Sequence, residues 1–309
     1  MSDESNPPAS GVRLPWEQVP AELRGQVAEF LGGRVVEAVT QTGGFSPAAA
    51  VRLKLDNGRR AFVKACGSSP NPTSIEIYRA EARIAAALPG QVPAPRLLTS
   101  FDTGDWVVLV FEDVEGSHPA MPWRDDELRR VLDAVGELSS ALTPSPIEAR
   151  TFADVHEQSF TGWRTLLQED TTGLDPWALR NLEPLAAMEE GWAAAAEGDS
   201  LVHADLRADN LLLTDDRVYV VDWPWASVGA PWIDLVCMLP SVRMQGGPPP
   251  QDLFDDGDTA VTAVLAALAG YFVRHGRLPD PPGLPTVRAF QRAQGVEALA
   301  WLRHRTGWD

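Results

Sequence analysis

Apolar residues along this chain change their spacing near residue 116. Before that point, short apolar runs alternate with turn residues; after it, apolar positions recur every three to four residues. The first part opens with an amphipathic helix predicted over residues 20–31, with Val27, Phe30 and Leu31 as its apolar positions. Strands are predicted over 35–41, 51–55 and 60–65. The last two are joined by Asp56-Asn57-Gly58, whose Asn-Gly pair suits the positive φ angles of a tight hairpin. A helix rich in Ala, Glu and Arg follows over 75–88, and Pro89-Gly90 stops it. Two more strands, 96–100 and 106–112, complete a small antiparallel sheet with one inserted helix.

Beyond residue 116 the period is helical. Residues 125–142 carry Leu128, Val131, Leu132, Val135 and Leu138 on one face, and 160–167, 177–196, 259–275 and 286–305 read as further helices. Among them, 201–202 and 211–213 read as strands about a tight loop, with another strand at 218–221. The expected fold class is therefore α+β and bilobal: a small antiparallel β-rich N-lobe with one helix, and a larger, mainly helical C-lobe. The expected divisions are 1–33 (tail and helix), 34–112 (N-lobe), 113–119 (hinge) and 120–309 (C-lobe).

Composition narrows the class. A chain of 309 residues is long enough for two subdomains, and 44% hydrophobic with 22% charged residues is ordinary for a globular protein. Cys66 and Cys237 stand far apart, without metal-ligand spacing, which fits a reducing cytosol better than a disulfide framework. Residues 1–11 lack the basic flank and apolar core of a signal peptide, and the longest apolar run is too short to span a bilayer. The expected location is cytoplasmic. The net charge of −17 is concentrated in residues 117–309, at −14, against −3 for residues 1–116. Such a field disfavours nucleic acid and anionic membranes as partners. It reads either as a solubilising surface or as an acidic cleft that draws in a polycation, and nothing calls for an obligate protein partner.

The chemistry lies in His203-Ala-Asp205-Leu-Arg207-Ala-Asp209-Asn210, followed by the apolar run 218–221 and Asp222. Asp205 can accept a proton from an attacking hydroxyl, while Asn210 and Asp222 offer hard oxygen ligands to Mg²⁺. Arg207 has two readings, a γ-phosphate contact or an outward salt bridge. Asp209 reads as a turn residue bonded to its own backbone, and His203 as a donor that pins the loop. Upstream, only Lys54 and Lys64 are lysine among 26 basic residues. Lys64 alternates to the face opposite Val63, where its ammonium could meet nucleotide phosphates. Holding it there takes a helix carboxylate: Glu81 first, Glu76 as the fallback. The turn Gly43-Gly44-Phe45-Ser46 lies between two strands, which excludes a dinucleotide fingerprint or Walker loop and leaves either a plain hairpin or a strand–turn–strand cover over phosphates.

With these residues the chain resembles the aminoglycoside phosphotransferase-like enzymes of the protein-kinase-like fold, from about Val35 to about Leu302. The 203–210 stretch is similar to that family's catalytic loop, Val221-Asp222-Trp223 to its metal-binding segment, and Gly229-Ala-Pro-Trp-Ile-Asp234-Leu to a helix start whose Asp234 supports the loop. The resemblance implies ATP (GTP not excluded) and Mg²⁺ as cofactors. It implies nucleotide contacts from Lys64, Glu81, Gly44, Phe45 and Ser46, and a hinge at Phe111-Glu112-Asp113-Val114 whose Glu112 C=O and Val114 N–H bind adenine. The absence of an Ala-Pro-Glu activation segment argues against a protein substrate.

The expected partner is a small-molecule hydroxyl acceptor. Candidate acceptor residues are Trp223, Trp225, Trp232 and the acidic stretch with Asp255 and Asp256, the latter also readable as a solvated loop ending in a helix cap at Asp258. Three readings follow: a kinase for a cationic aminoglycoside-like antibiotic, a metabolic kinase for an amino alcohol or sugar, and a catalytically silent nucleotide-binding scaffold.

Overall fold

A computed structural model describes Ala9 and residues 11–69, 72–254 and 256–309. After helix α1 (Ala21–Leu31), strands β1 (Val35–Thr40), β2 (Ala49–Leu55) and β3 (Arg60–Gly67) run antiparallel. Helix α2 (Pro72–Ala87) then leads to β4 (Leu97–Asp102) and β5 (Trp106–Phe111). The five strands form one antiparallel sheet in the order β1-β2-β3-β5-β4, with Lys64 opposite Leu109.

Period-two patterning decides what covers each face. Val63, Ala61, Val108 and Val110 point to one side, where Leu23, Val27 and Leu31 of α1 close a core. Phe30, expected among the buried positions, is 44% exposed and Leu23 takes its place. Cys66, Val107, Leu109 and Phe111 point to the other side, against Ile75 and Tyr78 of α2. Lys64 shares that second face. The covering helix is thus the one that carries Glu81.

The C-lobe begins with α3 (Asp125–Ala141), whose Leu128, Val131, Val135 and Leu138 are buried. Short helices follow: α4 (Phe152–His156), α5 (Gly162–Leu166), α6 (Pro176–Arg180), α7 (Leu182–Glu190) and α8 (Trp192–Ala195). The single helix expected over 177–196 is therefore three. Pro184 cannot donate to the Arg180 carbonyl and its ring crowds it, so the chain breaks at Asn181; a second break falls at Gly191. Next come β6 (Ser200–Val202), a 3₁₀ turn (Ala208–Asn210), β7 (Leu211–Leu213), β8 (Val218–Val220) and β9 (Ser227–Gly229), then α9 (Ile233–Met244) and α10 (Pro250–Leu253). Two hairpin-like pairs, β6 with β9 and β7 with β8, clamp the 203–210 loop between them.

Helices α11 (Thr259–His275) and α12 (Val287–Thr306) finish the lobe. Helix α11 is buried nearly all round, from Val261 to Phe272, because α5, α7, α8, α9 and α12 surround it. Helix α5 approaches it backbone to backbone: a Cβ on Gly162 would lie 2.0 Å from the Gly270 carbonyl oxygen. Among the described residues no helix is long and apolar enough to cross a membrane.

Candidate active site

Lys64 reaches across the gap between the sheet and the 203–222 region. Its Nζ donates to Glu81 Oε2 at 2.6 Å, to Glu81 Oε1 at 2.7 Å and to Asp222 Oδ1 at 2.7 Å. The Tyr78 ring adds a cation–π contact at 5.5 Å. Glu76 pairs instead with Arg79, at 2.6 Å. Burial pushes the Glu81 carboxyl up to about 7 despite the pull of Lys64. Burial also opposes the Asp222 charge, but the Lys64 ammonium outweighs it and holds Asp222 below the usual carboxylate range.

The loop after β6 is pinned by backbone bonds to one carboxylate. His203 N–H and Ala204 N–H donate to Asp234 Oδ2 and Oδ1 at 3.0 and 2.8 Å. The His203 ring spans the same turn: Nε2 meets the Val221 carbonyl at 3.0 Å, and Asp205 N–H donates to Nδ1 at 3.2 Å. That pair of contacts defines a neutral imidazole with its proton on Nε2. Ala204 and Asp222 take left-handed backbone conformations, φ 66° and 70°. Each costs about 1 kcal/mol for a residue with a side chain. Asn210 Nδ2 donates to the Asp205 carbonyl at 2.8 Å, so its own carbonyl oxygen is not the atom that ties the loop.

Arg207 neither points outward nor stands free. Its Nε and Nη2 donate to the two oxygens of Asp209 at 3.0 Å each, and its Nη1 bonds Asp205. Asp209 is therefore the fork's acceptor, not a turn residue bonded to its own backbone. Burial pushes the Asp205 carboxyl up to about 6, against the pull of Arg207. The guanidinium lies over the rings of Phe45 and Phe290, at 5.6 and 5.9 Å.

Two cavities meet at Lys64 and Asp222. The smaller, about 140 Å³, is bounded by Gly43 and Gly44, by Phe111 at the end of β5 with Glu112, Asp113 and Val114 after it, and by Asn210. There the Val114 N–H and Glu112 C=O have no backbone partner among the described residues. The Glu112 side chain bonds Arg96 Nε at 2.7 Å. The larger cavity, about 340 Å³, holds Asp205 and Arg207. Phe45 and Ser46, expected beside the nucleotide, line this second cavity; Ser46 Oγ meets the Tyr78 hydroxyl at 3.0 Å.

The acceptor residues sort differently from the sequence expectation. Trp225 lines the larger cavity and is 37% exposed. Trp223 does not: it is buried, its Nε1 donates to the Val220 carbonyl at 2.9 Å, and it borders the smaller cavity. Trp232 packs against the helical core. Asp256 meets Arg305 Nη2 at 3.4 Å and Asp258 caps α11 through Ala260 N–H at 2.8 Å, so this stretch serves a helix terminus and lines neither cavity. Asp255 lies outside the described residues. The periodicity gave no sign of Phe152, His156, Phe160 or Tyr271, which wall the larger cavity from α4, from the loop before α5 and from α11.

Residues 39–271 match the family model of the phosphotransferase enzyme family, APH. The chain belongs to this phosphotransferase family. Among solved structures, it is similar to a thermostable mutant of aminoglycoside phosphotransferase APH(4)-Ia in ternary complex with ADP and hygromycin B. The TM-score is 0.61 at 15% identity, covering 92% of this chain and 98% of that one. It is also similar to a putative fructosamine-3-kinase from Haemophilus somnus 129PT, with TM-score 0.56, 12% identity and coverage of 94% and 97%. A choline/ethanolamine kinase family protein from Mesorhizobium loti gives TM-score 0.56 at 15% identity, covering 92% and 93%. No curated protein matches the chain. The phosphotransferase therefore has a bilobal, kinase-like α+β fold.

Proposed function

We propose that this phosphotransferase moves the γ-phosphoryl group of ATP to a hydroxyl of a small molecule. The observation that carries the reading is the pair of cavities sharing Lys64 and Asp222, with Asn210 on one side and Asp205 on the other. Glu112 C=O and Val114 N–H would hold the adenine edge at the far end of the smaller cavity, and Lys64 would meet the phosphates. GTP, with its different base edge, remains an alternative donor. The donor set fits a magnesium ion: one half-exposed carboxylate, Asp222, and one carboxamide oxygen, Asn210, suit an ion that prefers few protein ligands plus phosphate and water oxygens. When bound there, Mg²⁺ would neutralise charge between the β- and γ-phosphates.

Asp205 takes the proton as the acceptor oxygen bonds to the γ-phosphorus and the bond from that phosphorus to the bridging oxygen breaks, releasing ADP. Such loose transition states ask chiefly for positioning, which the Asp234-anchored loop supplies. The apolar surroundings raise the basicity of the carboxylate that does this work. Asp205→Ala is expected to lower turnover at least 10³-fold while nucleotide affinity, read by titration calorimetry with Mg²⁺–ATP, changes less than threefold. Unchanged turnover would remove Asp205 from the reaction, and lost nucleotide binding would place it with the nucleotide instead.

A further inference from the structure

The larger cavity is an aromatic chamber in a strongly acidic protein. Phe152, His156, Phe160, Trp225 and Tyr271 form one wall, and Phe45 with Phe290 forms the roof. Among the described residues that line it, the charged side chains are Lys64, Asp205, Arg207 and Asp222, and they pair off: Arg207 with Asp205, Lys64 with Asp222. The other polar groups are neutral, chiefly Ser159, Gln291 and Gln294. Burial holds the His156 imidazole neutral down to about 4, and its buried Nε2 has no hydrogen-bond partner.

Each ammonium group brought into such a chamber sheds hydration at a cost of several kcal/mol, recovered only by an unpaired carboxylate or an open ring face. The carboxylates already have cations. Most of the ring faces are also taken: His156 stacks on Phe160 at 5.1 Å, Phe152 and Trp192 meet Phe160 edge-on at 5.7 and 5.0 Å, and Arg207 covers Phe45 and Phe290, while Trp225 alone of the wall is left 37% exposed. The acidity of residues 117–309 lies elsewhere, as at Asp256 and Asp258.

Taking the phosphotransfer reading above as the base, we propose that the acceptor is an uncharged, ring-bearing alcohol with an apolar face, held by the Phe152–His156–Phe160–Trp225–Tyr271 wall, and not a polycation. The cavity volume of about 340 Å³ falls within the usual range of small-molecule pockets. Its hydroxyl points to Asp205, its apolar face lies on the wall, and neutral donors such as Gln294 and Ser159 fix its orientation. Trp225, at the mouth, is the specificity-determining residue that can be changed with least disturbance to the core.

The test uses the full chain with Mg²⁺–ATP and two probe sets. One is uncharged: phenyl β-D-glucopyranoside, octyl β-D-glucopyranoside and a neutral macrolactone. The other is cationic: hygromycin B, kanamycin and choline. ADP formation and, separately, binding by tryptophan quenching in the presence of a non-hydrolysable ATP analogue are read for each. At least one uncharged probe is expected to bind or react tenfold better than every cation, and Trp225→Ala is expected to weaken it at least fivefold. Tighter binding or faster turnover of a cation overturns the proposal, as does failure of every uncharged probe to bind at millimolar concentration or indifference to Trp225→Ala. Choline as the best probe would mean that the aromatic wall acts as a cation cage. Failure of the phosphotransfer reading is distinct: no binding of Mg²⁺–ATP and no ADP with either set.

Discussion

Lys64 donates to three carboxylate oxygens at 2.6–2.7 Å, and Glu81 stays buried only because that ammonium is there. Removing one partner of a buried pair strands the other, at a cost of about 3 kcal/mol. Lys64→Ala is therefore expected to lose stability of that order in urea unfolding and, in the proposed role, to raise KM for ATP at least tenfold. A wild-type kcat/KM for ATP rejects the role while leaving the ion pair intact as a structural fact. The lysine was legible because alternation along 61–65 sets its face and the 75–88 helix was the element available to cover it. Asp209 was not legible in the same way. Its bond to Arg207 depends on a guanidinium folding back within the loop, which spacing does not encode. The two tryptophans part for a related reason: the Trp223 ring turns inward to the Val220 carbonyl and borders the smaller cavity, while Trp225, two positions on, reaches the larger one.

At the scale of elements, the N-lobe strands and helices α3, α11 and α12 followed from periodicity, whereas strand β9, the largely apolar α9 and the close helix contacts did not. Gly162 and Gly270 let α5 and α11 touch backbone to backbone, and Trp163 Nε1 donates to the Ala266 carbonyl at 2.7 Å across the same crossing. Neither glycine sits in a pattern that marks it. Gly162→Ala is expected to destabilise the fold by about 3 kcal/mol or more through forced separation of the helices; a loss under 1 kcal/mol in equilibrium unfolding contradicts the contact. Helix α4 carries a second signature of packing. The folded state keeps His156 neutral down to about 4, whereas the unfolded chain protonates near 6.5. Its contribution is full above pH 6.5 and falls as pH drops toward 4, because the unfolded chain takes up the proton first. At pH 5 this amounts to about 2 kcal/mol. His156→Gln lacks the effect, so the stability gap between wild type and variant is expected to shift in the variant's favour by up to about 2 kcal/mol between pH 7.5 and 5. A gap independent of pH rejects a buried neutral imidazole.

Across the whole molecule, the turn 43–46 belongs to the N-lobe yet serves both cavities. Gly43 and Gly44 border the smaller one, and the positive φ of Gly44, 82°, leaves the turn close to the Arg13 side chain. Phe45 roofs the larger one and meets Phe290 of α12 edge-to-face at 5.1 Å, with Arg207 beneath both rings. One residue thus joins the sheet, the loop that carries Asp205 and the last helix. An edge-to-face aromatic pair contributes about 0.5–1.5 kcal/mol beyond its burial, enough to favour this arrangement of turn, loop and last helix without locking it. Phe45→Ala removes that contact but none of the groups proposed to act on phosphate or proton. That arrangement is then expected to be less populated, and each substrate that binds best to it must supply the difference, so the apparent affinity for both falls. Steady-state kinetics on Phe45→Ala are therefore expected to show KM for nucleotide and for acceptor rising together, by about three- to tenfold, with kcat at saturation changed less than threefold. A rise in the acceptor KM alone would make Phe45 a wall of one cavity, and not a link between the lobes.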